Sequence, residues 1–292
     1  MNVSLRQLQL FAAIARLDSL TAAADEQAIS QSAASQSLKE LERQLGYDLF
    51  RKIGRTLTLT EAGQQALPKI LQVLIHLDSL AFPQADFIGG KLRVSASETI
   101  ASYLMPKLLA GFIANYPLVE PELSIHNSDG VIERVTSGLA SIGFIEGPTS
   151  ATGVSINRWR EDQLKVFCRP DAQWLKLAKV PEGEWSTLPW IVRERGSGTR
   201  AVFDQAFAQR QETPRIRLAL NRQEAIKQSV RAGLGIGCLS ELALVDELTT
   251  GTLVELPTVL QLKRTFAIVH LDKVALTPLV HRFTDFAQHW RP

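Results

Sequence analysis

Apolar residues in the first eighty positions recur at spacings of three and four, the period of helices with one buried face. Leu8, Phe11, Ala12 and Ala15 predict a first helix, and Leu20–Gln27 a second. Ala34, Leu38, Leu41 and Leu45 form one stripe of a third, Gln31–Leu45, while Ser32, Gln36, Lys39 and Arg43 fall on its opposite face. Ser30 stands where a helix takes its N-cap, and Gly46 where it ends. Leu49–Leu59 divides into two strand-like halves around Gly54, which reads as a hairpin. A further helix is expected from Thr60 to about Ala81, with a heptad-like seam of Leu67, Ile70, Leu74, Leu77 and Ala81 that suits pairing with a second copy. Pro68 lies inside it and predicts a bend. Residues 82–90 (FPQADFIGG) read as a hinge.

Beyond Lys91 the pattern changes. Short apolar runs KLRVSA, ELSIHN, SIGFI, LKVFC, WIVRE, RIRLAL, GIGCL and TFAIVH alternate with helical stretches at Tyr103–Asn115, Gly130–Ser137, Arg200–Arg210, Gln223–Ala232 and Thr277–Trp290. Such alternation predicts an α/β architecture with mostly parallel strands. Two sub-domains joined by crossing strands near Asp162–Val166 and Arg264–Ile268 fit it, the last helix returning to the first sub-domain. The expected division is 1–60, a compact winged helix-turn-helix; 61–90, a linker and dimerisation helix with its hinge; and 91–292, a two-lobed domain. Its first lobe takes in about 91–162 and 267–292, and its second about 163–266.

The third helix has the form of a recognition helix, with an apolar side for a small core and hydroxyls, an amide and cations outward. Those groups bond phosphates and base edges in a DNA groove. Gln31, Ser32, Ser35, Gln36 and Lys39 are the candidates for bases or nearby phosphates, and Arg51 and Arg55 on the hairpin for the backbone. Charge gives only local support. The chain of 292 residues has a formal net charge of +2, and residues 1–88 carry eight Lys or Arg against nine Asp or Glu. Lys39, Arg43, Arg51, Lys52 and Arg55 outnumber Glu40, Glu42 and Asp48 where it matters.

A second set of polar groups sits at strand-to-helix junctions, where free N–H groups and the positive end of a helix dipole meet. SASET (Ser95–Thr99) and NSDG (Asn127–Gly130) follow strands expected to be neighbours, and GSGTR (Gly196–Arg200) opens a helix that faces them from the other lobe. Ser97, Thr99 and Ser128 are first choices for a small ligand, with Thr199 opposite. Ile100, Asn127, Glu146, Gly147 and Gln223 complete the candidate set. Hydroxyls in such places also cap helices without binding anything. Glu146 repels an anion unless it is paired with Arg or protonated; it otherwise orients a donor or reads an amino group. Arg193, Arg195 and Arg200 supply charge, or stand solvated.

Catalysis finds no footing. The five histidines are scattered, none at metal-ligand spacing, and no G-x-S-x-G elbow is present. GLGIG (Gly233–Gly237) lacks dinucleotide-binding spacing. No enzyme activity, cofactor or metal is expected. Two cysteines, Cys168 and Cys238, suggest a reduced cytoplasmic protein with buried thiols. The N-terminus does not read as a signal peptide, and no apolar run approaches the roughly 20 residues that span a bilayer.

The head also resembles a known family. Ser30, Gln31, Ala33, Ser35, Leu41, Glu42, Leu45, Gly46, Leu49, Phe50, Arg51, Leu59, Thr60, Ala62 and Gly63 match the N-terminal motifs of LysR-type transcriptional regulators. The likeness continues at GFIEGP (Gly143–Pro148), RERGSGTR (Arg193–Arg200) and EAIKQSVRAGLGIGCLS (Glu224–Ser240), which look most like the branch of carbon and sulfur assimilation regulators. Ser32 departs from it, standing where proline is usual, and Gln36 and Ser37 stand where Arg or Lys is common. The resemblance implies a periplasmic-binding-protein-like second part with a small effector in its cleft, double-stranded DNA as partner, and homodimers through the linker helix assembled into homotetramers. The effector expected is a small anion: a sulfur oxyanion, phosphate or small carboxylate. Two other readings share the pattern, an α/β enzyme or solute-binding module with a helical dimerisation head, and a regulator without an effector.

Overall fold

The computed structural model describes residues 3–53, 56–80, 88–171, 184–272 and 276–291. Three helices open the chain: α1 (Leu5–Leu17), α2 (Leu20–Glu26) and α3 (Gln31–Leu45). Each begins on a serine. Ser4 and Gln7 form a reciprocal capping box, and the Ser19 and Ser30 hydroxyls accept the amides of Ala22 and Ala33. Gly46 stops α3 in the left-handed conformation, its N–H returning to the Glu42 carbonyl at 2.8 Å. Strands β1 (Phe50–Ile53) and β2 (Thr56–Leu59) pair antiparallel as the wing. Arg55, read above as a backbone contact, lies outside the described residues.

Helix α4 (Glu61–Leu80) runs on through Pro68. Its seam is used differently from the expectation. Leu67 and Ile70 are buried in the head's own core with Leu10, Phe11, Ile14, Leu38 and Leu41. Val73 and Leu77, one to two turns on, are exposed. The stripe outruns the surface of the head only in its second half, and Ala81 is outside the described residues. Gly63 explains the start of α4. A Cβ there would lie 2.1 Å from the Leu49 carbonyl oxygen, so only glycine lets the helix sit on the wing.

The remainder forms one continuous sheet bent into two lobes, in the order β4-β3-β5-β11-β6-β9-β7-β8, with β10 beside β6. In the first lobe β3 (Gly90–Ser97) pairs parallel with β4 (Val119–His126) and β5 (Ile142–Glu146). In the second, β7 (Trp190–Arg193) pairs parallel with β8 (Ile216–Leu220) and β9 (Ile236–Ser240). The strands between are antiparallel, which corrects the expected mostly parallel sheet: β6 (Val154–Cys168) and β11 (Lys263–Leu271) cross between lobes in opposite directions, and β10 (Val254–Glu255) lies antiparallel to β6. β6 is 15 residues long, although only LKVFC read as strand, because its first half is polar and partly exposed on both faces. β11 pairs with β6 from Lys263 onward, where both strands cross between the lobes.

The helices shift by one or two residues. The helix read at Tyr103–Asn115 begins two residues later, as α6 (Met105–Asn115), and a separate short helix, α5 (Glu98–Tyr103), precedes it, parted from it at Leu104. Pro106 cannot donate within a continuous helix but suits a first turn. Helices α7 (Ser128–Thr136), α8 (Gly198–Ala208), α9 (Gln223–Arg231), α10 (Val245–Thr250) and α11 (Pro278–His289) complete the lobes. Aromatic clusters fill each core: Phe112, Phe144 and Phe283 in the first lobe, Trp190, Phe203 and Phe207 in the second. The lobes also exchange side chains. Tyr103 packs on the second lobe's cluster around Ile226 and Leu239, and Leu242 packs on the first lobe's core.

Candidate functional site

The outward face of α3 is polar and open. Gln31, Ser32, Gln36 and Lys39 are exposed and Ser35 is half-buried, with Ala34, Leu38 and Leu41 turned to the core. Ser32 touches Ser30, hydroxyl to hydroxyl, at 3.0 Å, so serine at this first-turn position joins the cap. Arg51 and Lys52 of the wing are exposed beside it. Two anions counted against binding are occupied. Glu42 accepts the amides of Leu49 and Phe50 at 2.8 and 3.2 Å and so ties the wing to α3. Glu40 holds Arg43 at 2.8 Å and Gln44 at 2.8 Å, which keeps its carboxyl down at about 2. Arg43 is thereby partly neutralised as a DNA contact.

The second site lies where the lobes meet, and Arg264 is its centre. Its side chain is fully buried. Nε donates to Asp162 Oδ2 at 2.6 Å, Nη1 to Thr199 Oγ1 at 2.8 Å, and Nη2 to Thr99 Oγ1 at 3.3 Å. Nη2 also lies 3.2 Å from Glu146 Oε2. One guanidinium on a crossing strand therefore joins the other crossing strand, the first lobe and the second. Thr199 donates to Glu146 Oε1 at 3.2 Å, and Gln223 Nε2 donates to Thr99 at 2.7 Å, so each of these bonds also spans the lobes. Ser240 donates to the other oxygen of Asp162 at 2.7 Å.

A second ion pair lies alongside. Arg193, 2% exposed, faces Glu98 at 2.8 Å and Glu194 at 2.8 Å, and Glu98 accepts the amide of Gln223 at 3.1 Å. Burial lifts the Glu98 carboxyl above its ordinary range, with Arg193 opposing. At the mouth, Asn127 reaches Glu194 at 3.3 Å, and the Asp129 amide meets the Gly196 carbonyl at 3.2 Å. A cavity of about 310 Å³ opens there, lined by Ser128, Asp129, Ser197, Gly198 and Arg200 among others. Backbones touch beside it. A Cβ on Gly198 would fall 1.6 Å from the Glu146 carbonyl oxygen, and one on Gly147 2.6 Å from the Gly198 oxygen.

The structure thus brings Thr99, Glu146, Thr199 and Gln223 into one network. Ile100 belongs to the first lobe's apolar core, fully buried, and reaches the site only through its neighbours. Ser128 spends its hydroxyl on the Glu146 carbonyl at 3.0 Å, inside its own lobe. Asn127 caps α7 through its side-chain oxygen and crosses the cleft with its nitrogen. Ser97 stands at the N-cap of α5 without making the cap bond. Its hydroxyl, like that of Ser197 ahead of α8, is buried and has no hydrogen-bond partner among the described residues. The solvated reading of arginine holds for Arg195 but fails for Arg193 and Arg200, both buried; Arg200 pairs with Asp204 at 2.8 Å.

Arg264, Asp162, Ser240 and Glu98 were missed. The crossing strands had been located, and Arg264 stands opposite Asp162 in their register. A charged pair facing itself across two crossing strands was the available signal. The thiols match expectation. Both cysteines are buried and burial pushes them up, Cys168 to about 11 and Cys238 to about 12, which leaves little thiolate. Among the described residues no cluster of ligands for a metal ion occurs, and no helix is long and apolar enough to cross a membrane.

Comparison with known proteins agrees over the whole chain. Residues 5–64 match the bacterial regulatory helix-turn-helix protein, lysR family, and residues 85–291 the LysR substrate binding domain. The chain is 38% identical over 290 residues to the uncharacterised HTH-type transcriptional regulator YeiE of Escherichia coli K12, covering 98% of this chain and 97% of that one. It is 30% identical over 290 residues to the RuBisCO operon transcriptional regulator of Allochromatium vinosum, covering 98% and 96%. The regulatory domain of CcmR from Synechocystis PCC6803, solved in complex with 2-PG, superposes with a TM-score of 0.63 at 28% identity, covering 68% of this chain and 96% of that one. With both lysR-family regions matched and relatives of 30% identity or more aligned over nearly the whole chain, this chain belongs to the LysR family of transcriptional regulators, proteins that bind DNA and are not enzymes.

Proposed function

We propose that this regulator's promoter binding is set by a small anionic effector held between the two lobes: a sulfur oxyanion, phosphate or small carboxylate. The observation that carries the reading is the seam itself. Arg264 is buried among hydroxyls from both lobes, and the Ser97 and Ser197 hydroxyls are buried with no hydrogen-bond partner among the described residues. A buried hydroxyl without a partner costs about 1–3 kcal/mol, which a ligand oxygen recovers. The effector residues are Ser97, Thr99, Ile100 through its backbone neighbourhood, Asn127, Ser128, Glu146, Gly147, Thr199 and Gln223, with Arg264 added. A relative's domain solved with 2-PG supports a small ligand in a domain of this fold.

In this reading residues 1–60 dock on double-stranded DNA, 61–90 join two copies, and 91–292 receive the effector. Gln31, Ser32, Ser35, Gln36 and Lys39 face the major groove, and Arg51 and Arg55 the backbone. The exposed Val73 and Leu77 of α4 suit a homodimer, and two dimers a homotetramer in the cytoplasm. An effector moves such an assembly only by binding one lobe arrangement better than another.

The test is a gel shift on the gene's own upstream DNA, with and without small anions. A shift that survives competitor DNA and weakens steeply with salt is expected. Replacing Ser97 and Thr99 together by alanine should blunt the anion response and leave the shift in place. A normal response from that double variant would move the effector elsewhere.

A further inference from the structure

The charges of the seam do not suit an anion that arrives alone. Two buried guanidiniums, Arg193 and Arg264, face three carboxylates that are mostly or fully buried: Glu98, Glu146 and Asp162. Glu194, partly exposed, adds a fourth against Arg193. The other cations nearby do not restore the balance. Arg200 is held by Asp204, and Arg222 is exposed near Glu98. Bringing another negative charge into such a set carries a desolvation cost and a repulsion that one guanidinium, already shared by two carboxylates, does not offset.

We propose that the anionic effector enters together with one proton, taken from solvent onto Glu146, so that the regulator reads the anion and acidity jointly. The inference rests on the anion reading above and deepens it. Glu146 is chosen because, of the two carboxylates that each have one oxygen without a hydrogen bond, it is the more deeply buried, 1% exposed against 13% for Glu98. Asp162 has both oxygens hydrogen-bonded, to Arg264 and to Ser240. Glu98 has one oxygen on the Gln223 amide, and its Oε2 faces Arg193 at 2.8 Å without hydrogen-bond geometry. Glu146 has one bond of 3.2 Å from Thr199, while its Oε2 faces Arg264 at 3.2 Å without hydrogen-bond geometry. The groups around it come from every neighbouring element: Arg264 on β11, Asp162 on β6 behind that guanidinium, Arg193 on β7, Thr199 on α8, Ser128 on α7 and Thr99 on α5. Protonated, Glu146 ceases to compete for Arg264 and becomes a donor. Arg264 then turns its freed charge to the effector, and the unpartnered serines add neutral donors.

The experiment is calorimetric titration of the full-length protein with sodium sulfate and with sodium acetate. Neither anion changes protonation between about pH 6 and about pH 8, so any proton uptake belongs to the protein. Runs in Tris and in bis-Tris, which differ in ionisation enthalpy, give the number of protons bound. About one proton per anion is expected, with the apparent Kd weakening up to about tenfold per pH unit. Glu146→Gln should bind at about pH 8 as the native protein does at about pH 6, with no proton uptake, whereas Glu98→Gln should keep the uptake. The native titration stands by itself if a variant fails to fold. Anion binding without proton uptake overturns this proposal and leaves the anion reading intact, and uptake that follows Glu98 rather than Glu146 also overturns it. No binding of either anion at either pH removes both.

Discussion

The α3 face and the interlobe seam are both polar, and they are polar in opposite ways. On α3 the side chains that matter are exposed, and Gln31, Gln36 and Lys39 are left open to a partner. In the seam Arg264, Asp162, Thr99, Thr199 and Gln223 already bond one another, and Arg264, Glu146 and Thr199 are almost without exposure. In the proposed function the first surface gains its energy when DNA arrives, since its groups lose only water. The second is already bonded across the lobes, so in the proposed function a ligand must replace bonds that exist. Substitution should therefore cost binding in the head and stability in the seam.

The largest effect expected is from Arg264→Ala. It leaves Asp162 and Glu146 buried without their cation, a loss of about 3–5 kcal/mol in urea unfolding. A loss near zero would mean that water reaches those carboxylates and that the seam is looser than its geometry. On the other side of the comparison, Gln36→Ala should weaken specific DNA binding by about 1–3 kcal/mol while leaving the unfolding curve in place. Lys39→Ala should act on all sequences alike and lower the salt slope by about one. If Gln36→Ala instead destabilises the head, that side chain is structural and the contrast between the surfaces fails.

A smaller effect concerns pH. Burial raises the Glu98 pKa above its ordinary 4.5, and Arg193 only partly opposes it. A carboxyl that holds its proton more tightly folded than unfolded stabilises the fold while protonated, and that contribution is lost as pH rises through the raised value. Glu98→Gln should therefore flatten the pH dependence of stability above about pH 4.5, as thermal unfolding at several pH values would show. A variant that parallels the native curve would place the raised proton affinity elsewhere. The smallest expected signal is from the thiols. With pKa values pushed to about 11 and about 12, Cys168 and Cys238 should resist a thiol reagent at neutral pH until the protein unfolds. Fast labelling of the native chain would contradict their burial.

The two surfaces also differ in how far they could be read from the chain. The α3 face is a local object. Its polar and apolar residues sort by helical period within fifteen positions, and its caps, Ser30 and Gly46, stand at its ends. Thr99, Glu146, Thr199 and Gln223 were legible as strand-to-helix junctions, because such junctions place donors at one edge of an α/β sheet. Their partner Arg264 was not. It stands 102 positions from Asp162 and 165 from Thr99, and nothing within its own strand distinguishes it from a solvated arginine. The long polar half of β6 was missed for a related reason: strand structure there is imposed by pairing with β11, not by alternating hydrophobicity.

By itself the sequence determined the periods, the caps and the order of elements, since each depends on neighbours within a few turns or strands. Tertiary structure alone decided which half of the α4 seam the head would bury, which hydroxyls would be spent on capping and which left over, and that one guanidinium would stand between two lobes. Those outcomes depend on what lies across a gap closed by folding, where burial multiplies the strength of every charge and every unmade bond.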